Sequence, residues 1–234
     1  PRPAAPALGG IPVGGPIGAA IARTRLPVMI LGETGAGKSR LARMLHETLT
    51  PHAPFVEINA GTLPGNLLVS ELFGHERGAF TGAVGAKPGL VAAAEGGTLF
   101  LDEIGELPAD AQAQLLSFLD TGSYRPLGGV RAARAEVRVV TATNRDLAAA
   151  VGHGRFREDL YYRLASIVVP LAPLRDQRAQ LPALIDELLR EIAALGEDAD
   201  QIGHDESSKR LRAAGQQKRR AERKARRAFF SESR

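Results

Sequence analysis

The chain has 234 residues, of which 44% are hydrophobic, enough for one sizeable core and at most a small appendage. It lacks cysteine, which excludes disulfides and thiolate metal sites, and no apolar run approaches the roughly 20 residues that a membrane span needs. The first residues do not combine a basic start with an apolar stretch, so we expect no signal peptide, no membrane partner and a cytoplasmic location.

The net charge of +4 is unevenly distributed. Residues 209–227 carry ten Lys and Arg against one acidic residue, Glu222, so the remainder of the chain has a net charge of −5. The basic character therefore belongs to the tail, and the body shows no sign of a DNA-binding surface. Direct DNA binding is expected at most weakly, through the tail.

Composition and apolar periodicity predict three regions in chain order. Residues 1–22 are rich in Gly and Pro and predict a flexible lead-in. Residues 23–196 predict one domain, which ends in a short helical extension with an apolar face at 180–195. Residues 197–234 predict a basic, polar tail that is either a solvated helix or disordered.

Within the domain, short apolar runs alternate with segments of helical spacing. The runs that predict buried strands are 28–31, 55–58, 98–101, 137–141 and 167–169, and the candidate helices between them include 39–49 and 109–119. Continuous apolar strands alternating with helices are typical of a mostly parallel sheet covered on both faces. The fold class is therefore predicted to be α/β.

The first predicted strand leads directly into a phosphate-binding loop pattern, and a predicted helix follows. Glycines in such a loop let backbone amides turn toward phosphates, while Lys38 would meet the β- and γ-phosphates and Ser39 would hold Mg²⁺. The alternative is a Gly-rich turn that binds no nucleotide, but a strand before and a helix after are the context that the motif requires. The candidate nucleotide-binding residues are Gly32, Glu33, Thr34, Gly35, Ala36, Gly37, Lys38 and Ser39.

A second motif consists of an apolar strand that ends in two adjacent carboxylates, Asp102 and Glu103. Asp102 would hold Mg²⁺ at the nucleotide, and Glu103 would polarise the water that attacks the γ-phosphate. The alternative is an ordinary acidic cap on the next helix. Its pairing with a phosphate-binding loop favours the catalytic interpretation.

The most specific string is Gly-Ala-Phe-Thr-Gly-Ala at residues 78–83, preceded by Glu-Leu-Phe-Gly-His-Glu-Arg at 71–77. Glycines at both ends suit an exposed, mobile loop, and the alternative is a core turn around a buried Phe80. The string resembles the signature of AAA+ activators of sigma-54 RNA polymerase. The resemblance implies that this loop projects from a ring and touches sigma-54, with contacts from Gly78, Ala79, Phe80, Thr81, Gly82 and Ala83.

Other positions resemble landmarks of the same family. Asn59 matches an asparagine that holds the catalytic glutamate, and Asn144, after Thr143, matches the first sensor of the γ-phosphate. Arg157 and Arg163 match arginines that reach the neighbouring subunit's γ-phosphate. From the residues alone, Asn59 is equally consistent with a strand-end turn, and the two arginines with local ion pairs.

The resemblance runs from about residue 26 to 195 and implies an AAA+ P-loop NTPase that assembles into a ring, usually a hexamer. The implied reaction is hydrolysis of ATP to ADP and phosphate with Mg²⁺. Its energy would move the loop at 78–83 against sigma-54 and remodel the closed promoter complex, which activates transcription.

The sequence also departs from the family pattern. No Trp-Pro-Gly-Asn type lid motif follows residue 195, and neither a helix-turn-helix nor a sensory domain is recognisable. The lead-in is short where relatives contact the adenine. The polar tail is consistent either with a basic arm or with a truncated or frame-shifted gene.

Two alternatives to an ATPase acting on sigma-54 therefore stay open at this point. One is a nucleotide-binding interaction fragment without turnover. The other is a different AAA+ remodelling ATPase.

Overall fold

The computed structural model describes residues 7–8, 11–12, 21 and 24–177. The predicted helix at 180–195, the tail at 197–234 and most of the lead-in at 1–22 lie outside the described residues. Within the described part, no helix has both the length and the apolar character needed to cross a membrane.

Strands and helices alternate through the described domain. The strands are β1 (Ala7–Leu8), β2 (Ile11–Pro12), β3 (Val28–Leu31), β4 (Phe55–Asn59), β5 (Gly74–His75), β6 (Lys87–Pro88), β7 (Thr98–Asp102), β8 (Ser123–Tyr124), β9 (Ala133–Arg134), β10 (Arg138–Thr143) and β11 (Ile167–Pro170). The helices are α1 (Lys38–Leu49), α2 (Gly65–Phe73), α3 (Leu90–Ala93), α4 (Ala109–Thr121), α5 (Leu147–Gly152) and α6 (Glu158–Leu164). Single 3₁₀ turns cover Ile104–Glu106 and Leu174–Asp176.

The central sheet has five strands in the order β11-β3-β10-β7-β4, and every pairing is parallel. All six residues of β10 are buried, as expected for an inner strand covered on both faces. The predicted α/β class is confirmed, and each of the five predicted strands is present, with ends shifted by a residue or two. Because the strands are parallel, their carboxyl ends share one edge of the sheet.

The core forms because the apolar faces of the helices cover this sheet. α1 buries Leu41, Ala42 and Leu45, and α4 buries Leu115 and Phe118. α4 ends where Gly122 takes a left-handed conformation, with φ of 64°, and donates its N–H to the Phe118 carbonyl at 2.8 Å. The helix that carries the phosphate loop and the helix that precedes β8 are thus both fixed by burial.

Three short antiparallel pairs of the described residues stand outside the central sheet, and one of them joins β1 to β2. β5 pairs with β6 and encloses the loop of residues 76–86, and β8 pairs with β9 and encloses the loop of residues 125–132. The two loops are tied together, because Glu76 N–H donates to the Leu127 carbonyl at 2.9 Å and Leu127 N–H donates to the Gly74 carbonyl at 2.9 Å. The sequence analysis did not predict these pairs, which are too short to show any periodicity.

Candidate functional site

The candidate site lies at the carboxyl edge of the sheet. The phosphate-binding loop follows β3, Asn59 ends β4, Asp102 ends β7, and Asn144 follows β10. These four strands are neighbours in the order β3-β10-β7-β4. The topology therefore brings together residues that are more than a hundred positions apart in the sequence, which is the usual place for a ligand in an open parallel sheet.

The loop conformation depends on two glycines. Gly35 has φ of 81° and Gly37 has φ of 94°, both in the left-handed region that other residues avoid. A Cβ at either position would meet nothing within 4 Å, so the requirement is conformational rather than steric. α1 begins at Lys38, and no side chain caps its first N–H groups. Uncapped amides and the helix dipole favour an anion at this end.

Lys38 follows the loop as the first residue of α1, and only 6% of the residue is exposed. Its Nζ donates to the carbonyls of Gly32 at 3.0 Å and Glu33 at 3.1 Å. The Glu103 carboxylate is 3.8 Å from the same nitrogen. A buried ammonium held mainly by loop carbonyls can exchange them for phosphate oxygens, which are stronger acceptors because they are charged.

Glu103 is the only non-glycine residue with positive φ in the described part of the chain, at φ 50° and ψ 50°. Such a conformation costs on the order of 1–3 kcal/mol and persists where the surroundings enforce it, often at functional sites. Here the Glu103 N–H donates to Oδ1 of Asp102 at 2.9 Å, so the first carboxylate fixes the turn that presents the second.

Asn144 links the end of β10 to both motifs. Its side-chain amide donates to the Thr34 hydroxyl at 2.8 Å, and its backbone N–H lies 3.5 Å from Oε2 of Glu103. The Gly32 N–H donates to the carbonyl of Thr143 at 3.2 Å, which anchors the start of the loop to the same strand. Hydrogen bonds therefore connect the phosphate-binding loop directly to Asn144 and to the end of β10.

Asn59, which the resemblance implies to hold the catalytic glutamate, forms its hydrogen bonds at the end of β4. Its amide nitrogen donates to Oδ2 of Asp102 at 3.4 Å, one residue before Glu103. Its oxygen accepts the Gly61 N–H at 2.8 Å, as in a strand-end turn. In this structure Asn59 thus orients Asp102 and closes the turn after β4.

The two candidate arginines have local partners. Arg157 forms a double hydrogen bond with Asp159, and this pairing lowers the pKa of the Asp159 carboxyl. Arg163 donates to the Leu119 carbonyl at 3.0 Å and lies 3.1 Å from Asp120. Both side chains are roughly half exposed, so they are accessible from outside the chain.

The loop at 78–83 reaches the surface. Gly78 and Gly82 have positive φ, and the Gly78 N–H donates to the Ala83 carbonyl at 2.9 Å, which closes the tip. Phe80 is 36% exposed and packs edge-on against His75, with ring centroids 5.0 Å apart. The structure thus has no buried core turn around Phe80.

The donor chemistry at the edge fits Mg²⁺ and a nucleotide phosphate. Magnesium takes oxygen ligands, typically one or two from protein and the rest from phosphates and water. The Ser39 hydroxyl at the start of α1 and the Asp102 carboxylate at the end of β7 are oxygen groups of this kind.

Sequence reasoning missed two residues near the site. Gln112 is buried in α4; its side-chain oxygen accepts the Arg157 N–H at 2.8 Å, and its nitrogen donates to the carbonyls of Leu107 and Arg155. Arg175 pairs with the loop residue Glu33. Neither carries a local motif, because a glutamine in a helix and an arginine after a strand are common. Only the three-dimensional contacts identify them.

Comparison with known proteins gives a consistent picture. The family model described as the sigma-54 interaction domain matches residues 17–170. The response regulator protein PilR of Pseudomonas aeruginosa is 47% identical over 174 residues, which cover 74% of this chain and 39% of PilR. The DNA-binding transcriptional regulator NtrC of Rhizobium meliloti is 46% identical over 185 residues, which cover 79% of this chain and 38% of NtrC.

Among solved structures, NtrX from Brucella abortus in complex with ADP aligns with a TM-score of 0.67 at 32% identity. The alignment covers 74% of this chain and 38% of NtrX. The ATP complex of NtrX aligns with a TM-score of 0.64. The chain therefore spans about two fifths of the length of the relatives that it matches.

Proposed function

The chain belongs to the sigma-54 interaction domain family, and from this premise we propose that it hydrolyses ATP and uses the energy to remodel the closed promoter complex of sigma-54 RNA polymerase. Its fold is that of an AAA+ domain. The observation that carries the proposal is the convergence of Lys38, Glu103 and Asn144 around one phosphate-binding loop.

The proposed chemistry assigns a role to each group at the edge. Lys38 exchanges the carbonyls of Gly32 and Glu33 for the β- and γ-phosphate oxygens of ATP. The Glu103 carboxylate, presented by its left-handed turn, orients the attacking water and accepts its proton. Mg²⁺, when bound by Ser39 and Asp102, would neutralise charge on the phosphates. Loss of the γ-phosphate then changes the contacts of Asn144 with Thr34 and Glu103, which makes Asn144 the sensor of the nucleotide state.

Arg157 and Arg163 complete the site of a neighbouring copy in this proposal. Their present partners, Asp159 and Asp120, are exposed carboxylates, and such pairs contribute little and exchange readily. An arginine supplied in trans to the γ-phosphate raises the hydrolysis rate by roughly 10³–10⁵. The proposal therefore requires a ring, and we propose a hexamer with the AAA+ domain bounded at residues 23–196.

The loop at 78–83 is the proposed contact with sigma-54. The apolar side chains of Phe80 and Val84 are 36% and 85% exposed, and they offer an apolar surface to a binding partner. The tie between Glu76 and Leu127 gives the loop a support that is separate from the sheet. Movement at the nucleotide edge is proposed to reach the tip through α2 and β5.

The proposal is tested by the specific ATPase rate of the purified chain as a function of its own concentration. A rate that climbs with concentration is expected, because Arg157 and Arg163 must come from another copy. A negligible rate at every concentration, with ADP still bound, would instead favour the second candidate function, a nucleotide-binding fragment without turnover. The observation that favours this second function is that both arginines pair with carboxylates of their own chain.

A further inference from the structure

One residue of the phosphate-binding loop makes contacts in two directions. The Glu33 carbonyl accepts a hydrogen bond from Nζ of Lys38 at 3.1 Å. The Glu33 carboxylate accepts two hydrogen bonds from the guanidinium of Arg175, with Nη1 at 2.7 Å from Oε2 and Nη2 at 2.6 Å from Oε1. Glu33 thus joins the proposed phosphate-binding lysine to Arg175, which lies 142 positions after Glu33 in the chain.

Arg175 extends from a segment that is itself fixed against the loop. After β11, the Leu171 N–H donates to the Leu31 carbonyl at 2.7 Å. A Cβ added to Gly32 would lie 2.9 Å from the Leu171 carbonyl oxygen, so the two backbones are in close contact. The turn Leu174–Asp176 follows, closed by the Asp176 N–H on the Pro173 carbonyl at 2.9 Å. The guanidinium fork is therefore presented from a braced backbone.

We propose that Arg175 is a positioning residue for nucleotide binding, which acts by holding the Glu33 carboxylate and thereby fixing the peptide at the entrance of the phosphate loop. Arg175 touches neither phosphate nor water in this role. A planar fork that makes two hydrogen bonds restricts its partner more than a single contact does. Without it, the loop has more conformations to lose when a nucleotide binds.

This inference rests on the proposed function in one respect, that the loop binds a nucleotide. It predicts that the main effect is on binding, because Arg175 contacts the loop residue Glu33, whereas Glu103 and Asn144 follow the ends of β7 and β10. The Arg175 hydrogen bond lowers the pKa of the Glu33 carboxyl, so the pair stays ionised at neutral pH. Both side chains are more than half exposed, so the pair adds little to global stability.

The experiment is a double-mutant cycle on binding of MgADP, which needs no turnover. Arg175→Gln and Glu33→Gln are each expected to weaken ADP binding about threefold to tenfold. The double variant is expected to bind no more weakly than either single variant, because both changes remove the same contact. Arg25→Gln is the matched control, since Arg25 is 62% exposed and pairs with Glu136 at 2.8 Å. Unfolding midpoints without nucleotide are expected to match the parent.

Parent-like ADP affinity of Arg175→Gln would overturn the inference. So would recovery of parent affinity in the double variant, because that would show that Arg175 only neutralises the Glu33 charge. In steady-state hydrolysis, Arg175→Gln is expected to raise KM with kcat unchanged, and a fall in kcat at constant KM would contradict the positioning role.

The two proposals fail in different ways. A parent that hydrolyses no ATP while the ADP cycle behaves as expected would overturn the proposed function and leave the role of Arg175 supported. A parent that binds no ADP would overturn both.

Discussion

The nucleotide edge and the loop at 78–83 are built on different principles. At the edge, Asp102, Glu103 and Asn144 each end or follow a buried parallel strand and are joined by hydrogen bonds, and Glu103 lies 3.8 Å from Nζ of Lys38. The loop rests on two-residue strands and on contacts with the neighbouring loop at 125–132, and it exposes Phe80 and Val84. The difference is consistent with the proposed roles, a rigid centre for hydrolysis and a separately supported tip for contact with sigma-54.

The largest expected effect is that of Glu103→Gln, which should abolish most hydrolysis at the nucleotide edge and leave the loop at 78–83 unchanged. The amide cannot accept the proton of the attacking water, so the hydrolysis rate is expected to fall by about 10²–10⁴. ATP binding should be nearly unchanged, because Lys38 and the loop amides remain. The measurement is single-turnover hydrolysis beside a nucleotide titration, with Glu57→Gln on β4 as control. Hydrolysis at the parent rate would show that Glu103 is not the general base.

A stability comparison tests the proposed rigidity directly. Leu101 is fully buried in β7 next to Asp102, and Leu101→Ala is expected to cost about 2–5 kcal/mol of unfolding free energy. Phe80→Ala at the exposed tip should cost less than about 1 kcal/mol. Urea unfolding of both variants decides the matter. Equal losses would mean that the tip is as well packed as the sheet.

The parts of this arrangement that sequence predicts are those with a local signature. The strand before Gly32 and the strand ending in Asp102 have apolar runs of the right length, and both are confirmed within a residue. The contact of Arg175 with Glu33 spans 142 residues and leaves no periodic trace. The positive φ of Glu103 is equally invisible, because nothing in its residue type favours it.

Changing Thr81 to Ala tests the tip without touching the edge. If residues 78–83 contact sigma-54, loss of the hydroxyl should weaken sigma-54 binding roughly tenfold, the scale of one well-placed contact. ATP hydrolysis should stay at the parent rate, because Thr81 is exposed and lies outside the nucleotide edge. Thr48→Ala, at an exposed hydroxyl on α1, serves as control. Loss of hydrolysis with normal sigma-54 binding would reverse the assigned roles.

The smallest expected effect concerns His46, which links α1 to the amino-terminal end of β7, opposite the nucleotide edge. The residue is 5% exposed, and its Nδ1 lies 3.0 Å from the Thr98 hydroxyl and 3.1 Å from that of Thr50. Burial lowers the pKa of His46, against smaller opposing contributions from a hydrogen bond with the Ala53 backbone and from Glu47. The neutral imidazole is therefore the form that the folded state favours.

The sign of the pH dependence follows from this lowered pKa. In the unfolded chain the imidazole titrates near about 6.5, so below that pH the unfolded state binds more protons than the folded state. The unfolding free energy should therefore decrease as the pH falls from about 6.5 toward the folded pKa, and His46 should contribute no slope above that range. Urea midpoints at pH 7.5 and 5.5 measure the loss, and His46→Gln should show a smaller one. An equal loss of stability in the variant would show that groups other than His46 cause the acid sensitivity.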